Sequence, residues 1–292
     1  MVTKLLRKAV PTPLHPPVRR AVLLLIPPLR RRLTRTWRSR SRLKGLLRRQ
    51  LKRTWRRCKR LERSLLIEKN PHRQYVFRRA MRRFSALPQD AVIPRTVLSD
   101  LIYGWGYKGS VKHEYASAFL RYARTADGPI LECGSGLSTI LLGLTAERTG
   151  NKVWSLEDKS FWAEKVRSTL QRYDIKSVEL CETNLRDYGP YWWYDPPKVK
   201  MPKNFSLVVC DGPPASTPGG RYGMLPIMKP HLKPGCIVLL DDARRVEERK
   251  ILATWAQESG TSYRIEGVAK PFGIVWVVGK GGFDPLLRTD QS

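Results

Sequence analysis

Short apolar runs alternate with longer amphipathic stretches from about residue 113 to residue 280. The runs are rich in Val, Leu and Ile, which is typical of buried strands, and they lie near residues 129–132, 152–157, 178–181, 205–211 and 236–240. Two late runs at 263–266 and 273–279 predict a closing pair of strands. Strands that alternate with helices predict a mainly parallel sheet with helices on both faces.

The stretches between these runs carry apolar residues three and four positions apart, which predicts helices. The predicted helices cover residues 113–123, 138–149, 161–173, 224–232 and 245–258. A dense aromatic segment at 187–197 precedes the fourth strand and predicts the wall of an acceptor pocket, a buried flap or a dimer contact. The sequence YGWGY at 103–107 predicts a lid with glycine hinges.

The pattern before residue 70 is different. Prolines interrupt the first 30 residues, and a stripe of apolar residues then recurs every three or four positions from Leu43 to Leu65. This spacing predicts a basic amphipathic helix of roughly 25 residues. Asn70 and Pro71 are expected to end it, and a second basic patch follows at 78–83.

Charge divides the 292 residues at the same place. Residues 1–85 contain 28 Lys and Arg and only two acids, whereas residues 86–292 contain 27 bases and 23 acids. We therefore predict a basic, partly disordered and amphipathic-helical extension over residues 1–88 and a balanced catalytic domain over residues 89–285.

The partner of the basic arm is expected to be anionic. A membrane surface attracts basic residues and apolar side chains together, whereas RNA attracts the same charges and stacks on the same aromatics, so residues 30–85 fit either partner. The apolar stripe is equally compatible with packing on the domain or on a second copy in a homodimer.

No segment of the sequence is long and apolar enough to cross a bilayer, because the run at 21–29 has nine residues and two prolines. No small-residue cleavage site follows it. The long basic region fits a mitochondrial transit peptide poorly. We expect a cytoplasmic protein, peripheral at the inner face of a membrane.

A glycine turn carries the candidate chemistry. In ILECGSGLST (residues 130–139), Gly134 and Gly136 lie between a strand and a helix, where bare backbone and free N–H groups accept a ligand. Glu157 ends the next strand 21 residues after Gly136, in position to bind ribose hydroxyls.

Charge favours one class of ligand at this turn. A dinucleotide motif requires a third glycine where this chain has Thr139, and the acid Glu132 would repel a pyrophosphate. The same carboxylate attracts a sulfonium and an α-amino group. This argument favours S-adenosylmethionine.

The stretch 113–280 resembles the class I S-adenosylmethionine-dependent methyltransferases. ILECGSGLST resembles the first motif of that family, and LEDKSFWAEKVRSTL, FSLVVCDGPP and RYGMLPIMKPHLKPGCIVLLDDARR resemble its later motifs as they occur in one bacterial branch. The resemblance implies a Rossmann-like, doubly wound seven-stranded α/β sheet with an antiparallel last hairpin. The cofactor-binding residues expected from the turn, the ribose acid and this resemblance are Glu132, Gly134, Ser135, Gly136, Glu157, Asp158, Trp162 and Asp211.

Three acids follow the fourth and fifth strands. Asp211, Asp241 and Asp242 resemble the magnesium ligands of catechol-type O-methyltransferases, and Asp211 and Asp241 are the candidate catalytic residues. Those enzymes place a lysine base shortly after the fourth strand, where this chain has Pro213 and Pro214. The metal is therefore a hypothesis, and the alternatives are a helix cap, a structural turn or pairing with a nearby arginine.

The acceptor is expected to contact Arg221, Tyr222 and Trp105. Base N-methylation is disfavoured, because a glycine separates Asp211 from the two prolines. The leading hypothesis is transfer of a methyl group to a hydroxyl of a small molecule or saccharide-like acceptor. The alternatives are an RNA- or ribosome-associated methyltransferase and a non-catalytic scaffold on the same fold.

Overall fold

The structure, a computed structural model, describes residues 70–107, 110–197 and 201–277. The predicted amphipathic helix at 43–65 and the proline-rich start lie outside the described residues. The helices are α1 (Pro71–Ala86), α2 (Arg95–Trp105), α3 (His113–Thr125), α4 (Leu137–Thr149), α5 (Ser160–Arg172), α6 (Met224–Met228) and α7 (Val246–Ser259). The strands are β1 (Ile130–Cys133), β2 (Val153–Glu157), β3 (Val178–Glu182), β4 (Leu185–Asp187), β5 (Trp192–Tyr194), β6 (Phe205–Cys210), β7 (Leu232–Leu240), β8 (Ser262–Glu266) and β9 (Phe272–Trp276).

Seven strands form one sheet in the order β3-β2-β1-β6-β7-β9-β8. All neighbours are parallel except β9, which is antiparallel to both β7 and β8. The predicted seven-stranded fold with an antiparallel last hairpin is therefore confirmed. Cys133 pairs with Cys210, and Cys210 pairs with Leu240, so the carboxyl ends of β1, β6 and β7 meet at one edge. Ligands bind at this edge in doubly wound sheets.

Two apolar clusters cover the two faces of the sheet. Alternate strand residues such as Leu207 and Val208 belong to opposite clusters, because successive side chains of a strand point to opposite faces. Helices α2 to α5 cover one face. Helix α7 and Trp193 and Tyr194 of the β4–β5 hairpin cover the other.

The first described helix contributes to the core of the domain. Phe77, Ala80, Met81 and Phe84 of α1 are buried in the cluster that covers one face of the sheet. Packing therefore begins within the segment that composition assigned to the basic extension. Among the described helices, none combines the length and apolar character needed to cross a bilayer.

The predicted helix 224–232 is wrong at its end. Helix α6 ends at Met228, a 3₁₀ turn covers Lys229–His231, and β7 begins at Leu232 rather than at residue 236. Leu232 pairs with Phe205 at the start of β6. Pairing across the sheet thus prevails over the local apolar pattern.

The lid predicted at 103–107 is also wrong, because residues 103–105 are the last turn of α2. A Cβ built on Gly104 would lie 2.6 Å from Cβ of Phe77, so this glycine permits close packing of two helices. Trp105 is buried at the same contact, with its ring 5.9 Å from that of Phe77. These residues anchor the domain instead of opening it.

The aromatic segment forms the antiparallel hairpin β4–β5, which the sequence did not predict. Trp193 pairs with Arg186, and both Trp193 and Tyr194 are buried against β6 and its neighbours. The segment is therefore part of the core, and its last aromatic, Tyr194, reaches the site described below.

Candidate active site

The glycine turn joins β1 to α4 at the carboxyl edge of the sheet. Gly134 has φ +90, a left-handed conformation that favours glycine. A Cβ at this position would lie 2.9 Å from the nitrogen of Gly212, so the turn packs directly on the backbone after β6. The Gly136 N–H donates to Oγ1 of Thr139 at 2.8 Å, which closes the first turn of α4.

Glu157 holds the turn from the neighbouring strand. Its Oε2 accepts hydrogen bonds from the Ser135 N–H at 3.0 Å and the Ser135 hydroxyl at 2.8 Å, and its Oε1 accepts one from the Lys159 N–H at 2.9 Å. Burial raises the pKa of Glu157, and these donors oppose the rise. Because each carboxylate oxygen can accept more than one bond, the side chain retains capacity for ribose hydroxyls.

Glu132 lies beneath the turn and is not a wall of the cavity. It is completely buried and accepts hydrogen bonds from the hydroxyls of Thr139 at 2.6 Å and Ser155 at 2.5 Å. Burial raises its pKa from 4.5 to about 7. The predicted contact of Glu132 with a sulfonium is therefore replaced by a structural contact under the turn.

Aromatic side chains form one wall of the site. The Trp162 indole donates a hydrogen bond to the carbonyl of Ser135, and its ring lies 4.7 Å from the ring of Tyr107 and 6.0 Å from that of Trp105. The ammonium of Lys165 lies 4.5 Å from the centre of the Trp105 ring. Flat apolar rings of this kind suit a base or a sugar face.

These elements enclose a cavity of about 430 Å³. Its lining includes ten of the site residues that the sequence predicted, and they are Trp105, Gly134, Ser135, Gly136, Glu157, Asp158, Trp162, Asp211, Arg221 and Asp242. The turn, the ribose acid and the acid after β6 therefore share one cavity.

Arg221 bridges the acids at the ends of β6 and β7. Its guanidinium lies 2.7 Å from Oδ1 of Asp211 and 3.2 Å from Oδ2 of Asp242, and it donates to the carbonyl of Asp241 at 2.5 Å. Only 2% of Arg221 is exposed. Burial disfavours its charge, but Asp211 and the other acids outweigh burial and raise its pKa. The arginine is a structural ion, not a solvated loop residue.

Lys270 approaches the same acids from the turn before β9. Its Nζ lies 2.5 Å from Oδ2 of Asp241 and 3.1 Å from Oδ1 of Asp242. Burial alone would raise the pKa of Asp242, but Lys270 and Arg221 lower it below its usual value. Arg245 also lies 2.8 Å from Oδ2 of Asp242, so three protein cations contact the three carboxylates. Of these cations Arg221 is buried, whereas Lys270 is partly exposed.

This arrangement tests the predicted magnesium site. Ligand oxygens of Asp211, Asp241 and Asp242 lie within 4.8 Å of one another, so the three acids do come together. However, Lys270 and Arg221 already bind oxygens of all three carboxylates. As it stands, the donor set does not fit a divalent cation.

Comparisons with known proteins decide the family. Residues 131–243 match the family model of a methyltransferase domain. This chain carries a methyltransferase domain. Its methyl donor is S-adenosylmethionine, and the bare turn with Glu157 beside it fits that cofactor. The predicted family is confirmed, and the domain is that of an enzyme.

Similar solved structures include three methyltransferases, whereas no curated protein sequence matches the chain. An O-methyltransferase from Bacillus cereus in complex with SAH is 16% identical, with 70% of this chain and 90% of that chain covered and a TM-score of 0.46. A putative caffeoyl-CoA O-methyltransferase from Staphylococcus aureus is 14% identical (63% and 98% covered, TM-score 0.46). An RNA methyltransferase from Salinibacter ruber in complex with S-adenosyl-L-homocysteine is 15% identical (60% and 97% covered, TM-score 0.41).

Not every predicted residue reaches the cavity of the methyltransferase domain. The Tyr222 hydroxyl bonds Glu258 at 2.5 Å, and Tyr222 is absent from the residues that line the cavity. Asp241 is completely buried behind Asp242 and Arg221 and also lies off the lining. A direct catalytic role therefore fits Asp211 better than Asp241.

Several residues of the site were not predicted. Tyr107, Tyr194 and Arg245 line the cavity, and Lys270 reaches the acid cluster. Tyr194 belongs to a conspicuous aromatic run, which is the signal that points to it. Lys270 has no such signal, because only the fold brings it to Asp241, 29 residues away.

Proposed function

We propose that the methyltransferase domain transfers a methyl group to a hydroxyl of a small-molecule or saccharide-like acceptor. When bound, S-adenosylmethionine supplies an electrophilic methyl carbon. The observation that carries the proposal is the position of Asp211. Its carboxylate lines the cavity, and its neighbour Gly212 packs on the glycine turn that would hold the methyl donor, called the donor turn below. A carboxylate at this position can accept the proton that a hydroxyl loses as it attacks.

The environment of Asp211 suits a general base. Burial raises its pKa, Arg221 opposes the rise, and Asp241 adds to it. Catalytic bases work best when their pKa lies near the operating pH. Arg221 also donates to the Asp211 carbonyl at 2.7 Å, which holds the residue whether or not its side chain carries a proton.

The rest of the cavity would orient the acceptor and exclude water. The rings of Trp105, Tyr107 and Trp162 form an apolar wall, and the Tyr194 hydroxyl lies at the backbone of Gly212. Positioning of this kind supplies much of the rate in an in-line displacement. Aromatic walls with a few polar groups suit a phenolic ring or a sugar.

An experiment with labelled methyl donor tests this proposal. We would incubate the full chain with labelled S-adenosylmethionine and panels of phenols, saccharides and amines, together with cell fractions. We expect label on hydroxyl-bearing acceptors. Asp211→Asn should lower the rate by about 10²–10⁴. Affinity for S-adenosylhomocysteine should change by no more than a few-fold.

The control is Asp174→Asn, an isosteric change at an exposed position whose side chain pairs with Lys176. It should leave the rate unchanged. Label confined to amine acceptors, or full activity in Asp211→Asn, would contradict the proposal.

We also propose that the basic arm, residues 30–85, binds an anionic membrane surface. Its described part is α1, which exposes Arg78, Arg79 and Arg82 while burying Phe77 and Phe84. Each basic residue near an anionic leaflet contributes about 1 kcal/mol. The arm would thus bring the enzyme to acceptors at that surface.

Vesicle flotation of the full chain tests the arm. Binding to vesicles that contain about 30–40% anionic lipid should exceed binding to neutral vesicles at least tenfold. Replacing Arg78, Arg79 and Arg82 by Gln should weaken it several-fold. Tight binding to RNA without vesicle binding would overturn this proposal.

A further inference from the structure

A carboxylate at the start of α3 holds the turn between β8 and β9. Oε1 of Glu114 accepts a hydrogen bond from the Val268 N–H at 3.0 Å, and Oε2 accepts bonds from the N–H groups of Ala269 and Lys270, both at 3.1 Å. The bond from Lys270, followed by that from Val268, lowers the pKa of Glu114. Three successive amides on one carboxylate form a compact cradle that fixes the backbone of the turn.

The conformation of the turn agrees with this role. Gly267 has φ +89, and a Cβ built on it would lie 3.3 Å from Oε2 of Glu114. The glycine therefore permits the left-handed bend and the close approach of the carboxylate. Together Gly267 and Glu114 set the position from which the Lys270 side chain extends.

From this turn Lys270 reaches the ends of two acids. Its Nζ lies 2.5 Å from Asp241 and 3.1 Å from Asp242, and Asp241 is completely buried. A buried carboxylate without a partner costs several kcal/mol, so a fixed cation here is a strong requirement of the fold. Asp242 itself has φ +64, and its carboxylate contacts Lys270, Arg221 and Arg245.

We propose that Lys270, positioned by Glu114, is the permanent counter-ion of Asp241 and Asp242 and takes the place that a divalent cation would have. Arg221 neutralises Asp211 and the other side of Asp242 in the same way. With Arg245, which also pairs with Asp242, three protein cations contact the acids, and a divalent ion would have to displace Lys270 against its pairing. Methyl transfer by this domain therefore needs no divalent cation. The inference rests on the acid cluster and is independent of the acceptor.

Removal of the lysine charge tests the proposal directly. Mn²⁺ binding to the full chain would be followed by electron paramagnetic resonance and calorimetry. Wild-type protein should show no stoichiometric site below about 1 mM. Lys270→Met leaves Asp241 without its cation, with Arg221 and Arg245 still on the other two acids, and should bind Mn²⁺ at least tenfold more tightly. Lys270→Arg should behave as wild type, because the cation is kept.

The matched control is Lys176→Met, which removes an exposed lysine paired with Asp174. It should leave Mn²⁺ binding as in wild type. A stoichiometric Mn²⁺ site in wild-type protein that Asp242→Asn abolishes would overturn the proposal. So would a failure of Lys270→Met to gain affinity while its thermal unfolding stays cooperative.

Glu114→Gln provides a second variant in case Lys270→Met does not fold. The neutral amide keeps one acceptor oxygen and loses the other, so the turn loosens and Lys270 is held less firmly. Mn²⁺ affinity should rise by about three- to tenfold, between wild type and Lys270→Met. Glu164→Gln, on the exposed side of α5, should have no effect. Unchanged Mn²⁺ affinity in a folded Glu114→Gln protein would refute the positioning role of Glu114.

Activity supplies a separate readout once an acceptor is known. The rate of methyl transfer by wild-type protein should differ less than twofold between assays in about 5 mM EDTA and assays in about 5 mM Mg²⁺. Lys270→Met should be slower and should recover in part with Mg²⁺. A tenfold loss in EDTA that Mg²⁺ restores would overturn the proposal, yet it would leave methyl transfer to a hydroxyl intact.

Discussion

Gly134 and Gly212 pack backbone against backbone at the carboxyl ends of β1 and β6. A Cβ on Gly134 would lie 2.9 Å from the Gly212 nitrogen, and a Cβ on Gly212 would lie 2.9 Å from Cα of Gly134. The N–H groups of Asp211 and Gly212 both donate to the carbonyl of Cys133. This contact places the donor turn next to the candidate base.

Gly134→Ala should abolish this contact. Both the left-handed φ of +90 and the close approach oppose a side chain, so we expect affinity for S-adenosylhomocysteine to fall at least tenfold, by about 1.4 kcal/mol or more. Calorimetry measures the affinity. The matched control is Gly189→Ala, which has φ +91 and open space around its Cβ. Equal losses in both variants would show that φ alone, and not the contact with Gly212, is responsible.

Glu157→Gln should weaken cofactor binding about tenfold, because a charged acceptor of hydrogen bonds becomes neutral. Burial raises the pKa of Glu157 above its usual 4.5. The carboxylate therefore becomes protonated at a higher pH than an ordinary glutamate, and wild-type affinity should decline as the pH falls toward that pKa. Dissociation constants measured between about pH 5 and pH 8 should show this slope in wild type but not in Glu157→Gln. Glu182→Gln, on the exposed edge of β3, should retain the slope.

Glu132→Gln should change the pH dependence of folding. Burial raises the pKa of Glu132 from 4.5 to about 7, so the folded protein binds one more proton than the unfolded chain between these values. The contribution of Glu132 to stability is complete below pH 4.5 and is lost as the pH rises through 7, by about 3 kcal/mol in total.

Urea unfolding at several pH values measures this contribution of Glu132 to the free energy of unfolding. As the pH rises from about 5 to about 8, across the raised pKa of Glu132, wild type should lose stability relative to Glu132→Gln. The amide can still accept the hydroxyls of Thr139 and Ser155. A constant difference between the two proteins at all pH values would contradict the raised pKa.

Gly104→Ala should destabilise the domain, although the same change usually stabilises a helix. The new Cβ would lie 2.6 Å from Cβ of Phe77, so α1 and α2 must separate. We expect a loss of about 1–3 kcal/mol, measured by urea unfolding. An increase in stability would favour the hinged lid that the sequence predicted and would contradict the helix contact.

The sequence predicted the order of strands and helices because their signals are local. The apolar runs of β1, β2 and β6 and the glycine turn have the spacing of a doubly wound sheet, and Glu157 follows Gly136 at the expected distance. The prediction failed where sheet pairing competed with a local pattern. Leu232 is the example, because its pairing with Phe205 ends the predicted helix early.

The sequence predicted the acids and glycines of the site but not the basic residues that pair with the acids. The sequence places three acids directly after predicted strands, and these are Asp211, Asp241 and Asp242. Nothing in the neighbouring sequence distinguishes Lys270 or Glu114 from other surface residues. Glu114 lies 156 residues from Lys270 in the chain, and only packing of α3 against the β8–β9 turn joins them.

The sequence by itself determined the methyltransferase fold and the place of the donor turn, since hydrophobic periodicity and glycine positions act over a few residues. The tertiary structure alone decided that Arg221, Arg245 and Lys270 pair with the acid cluster and that Glu132 lies under the turn. The physical reason is that burial and pairing of charge depend on distances between elements, and local sequence does not specify those distances.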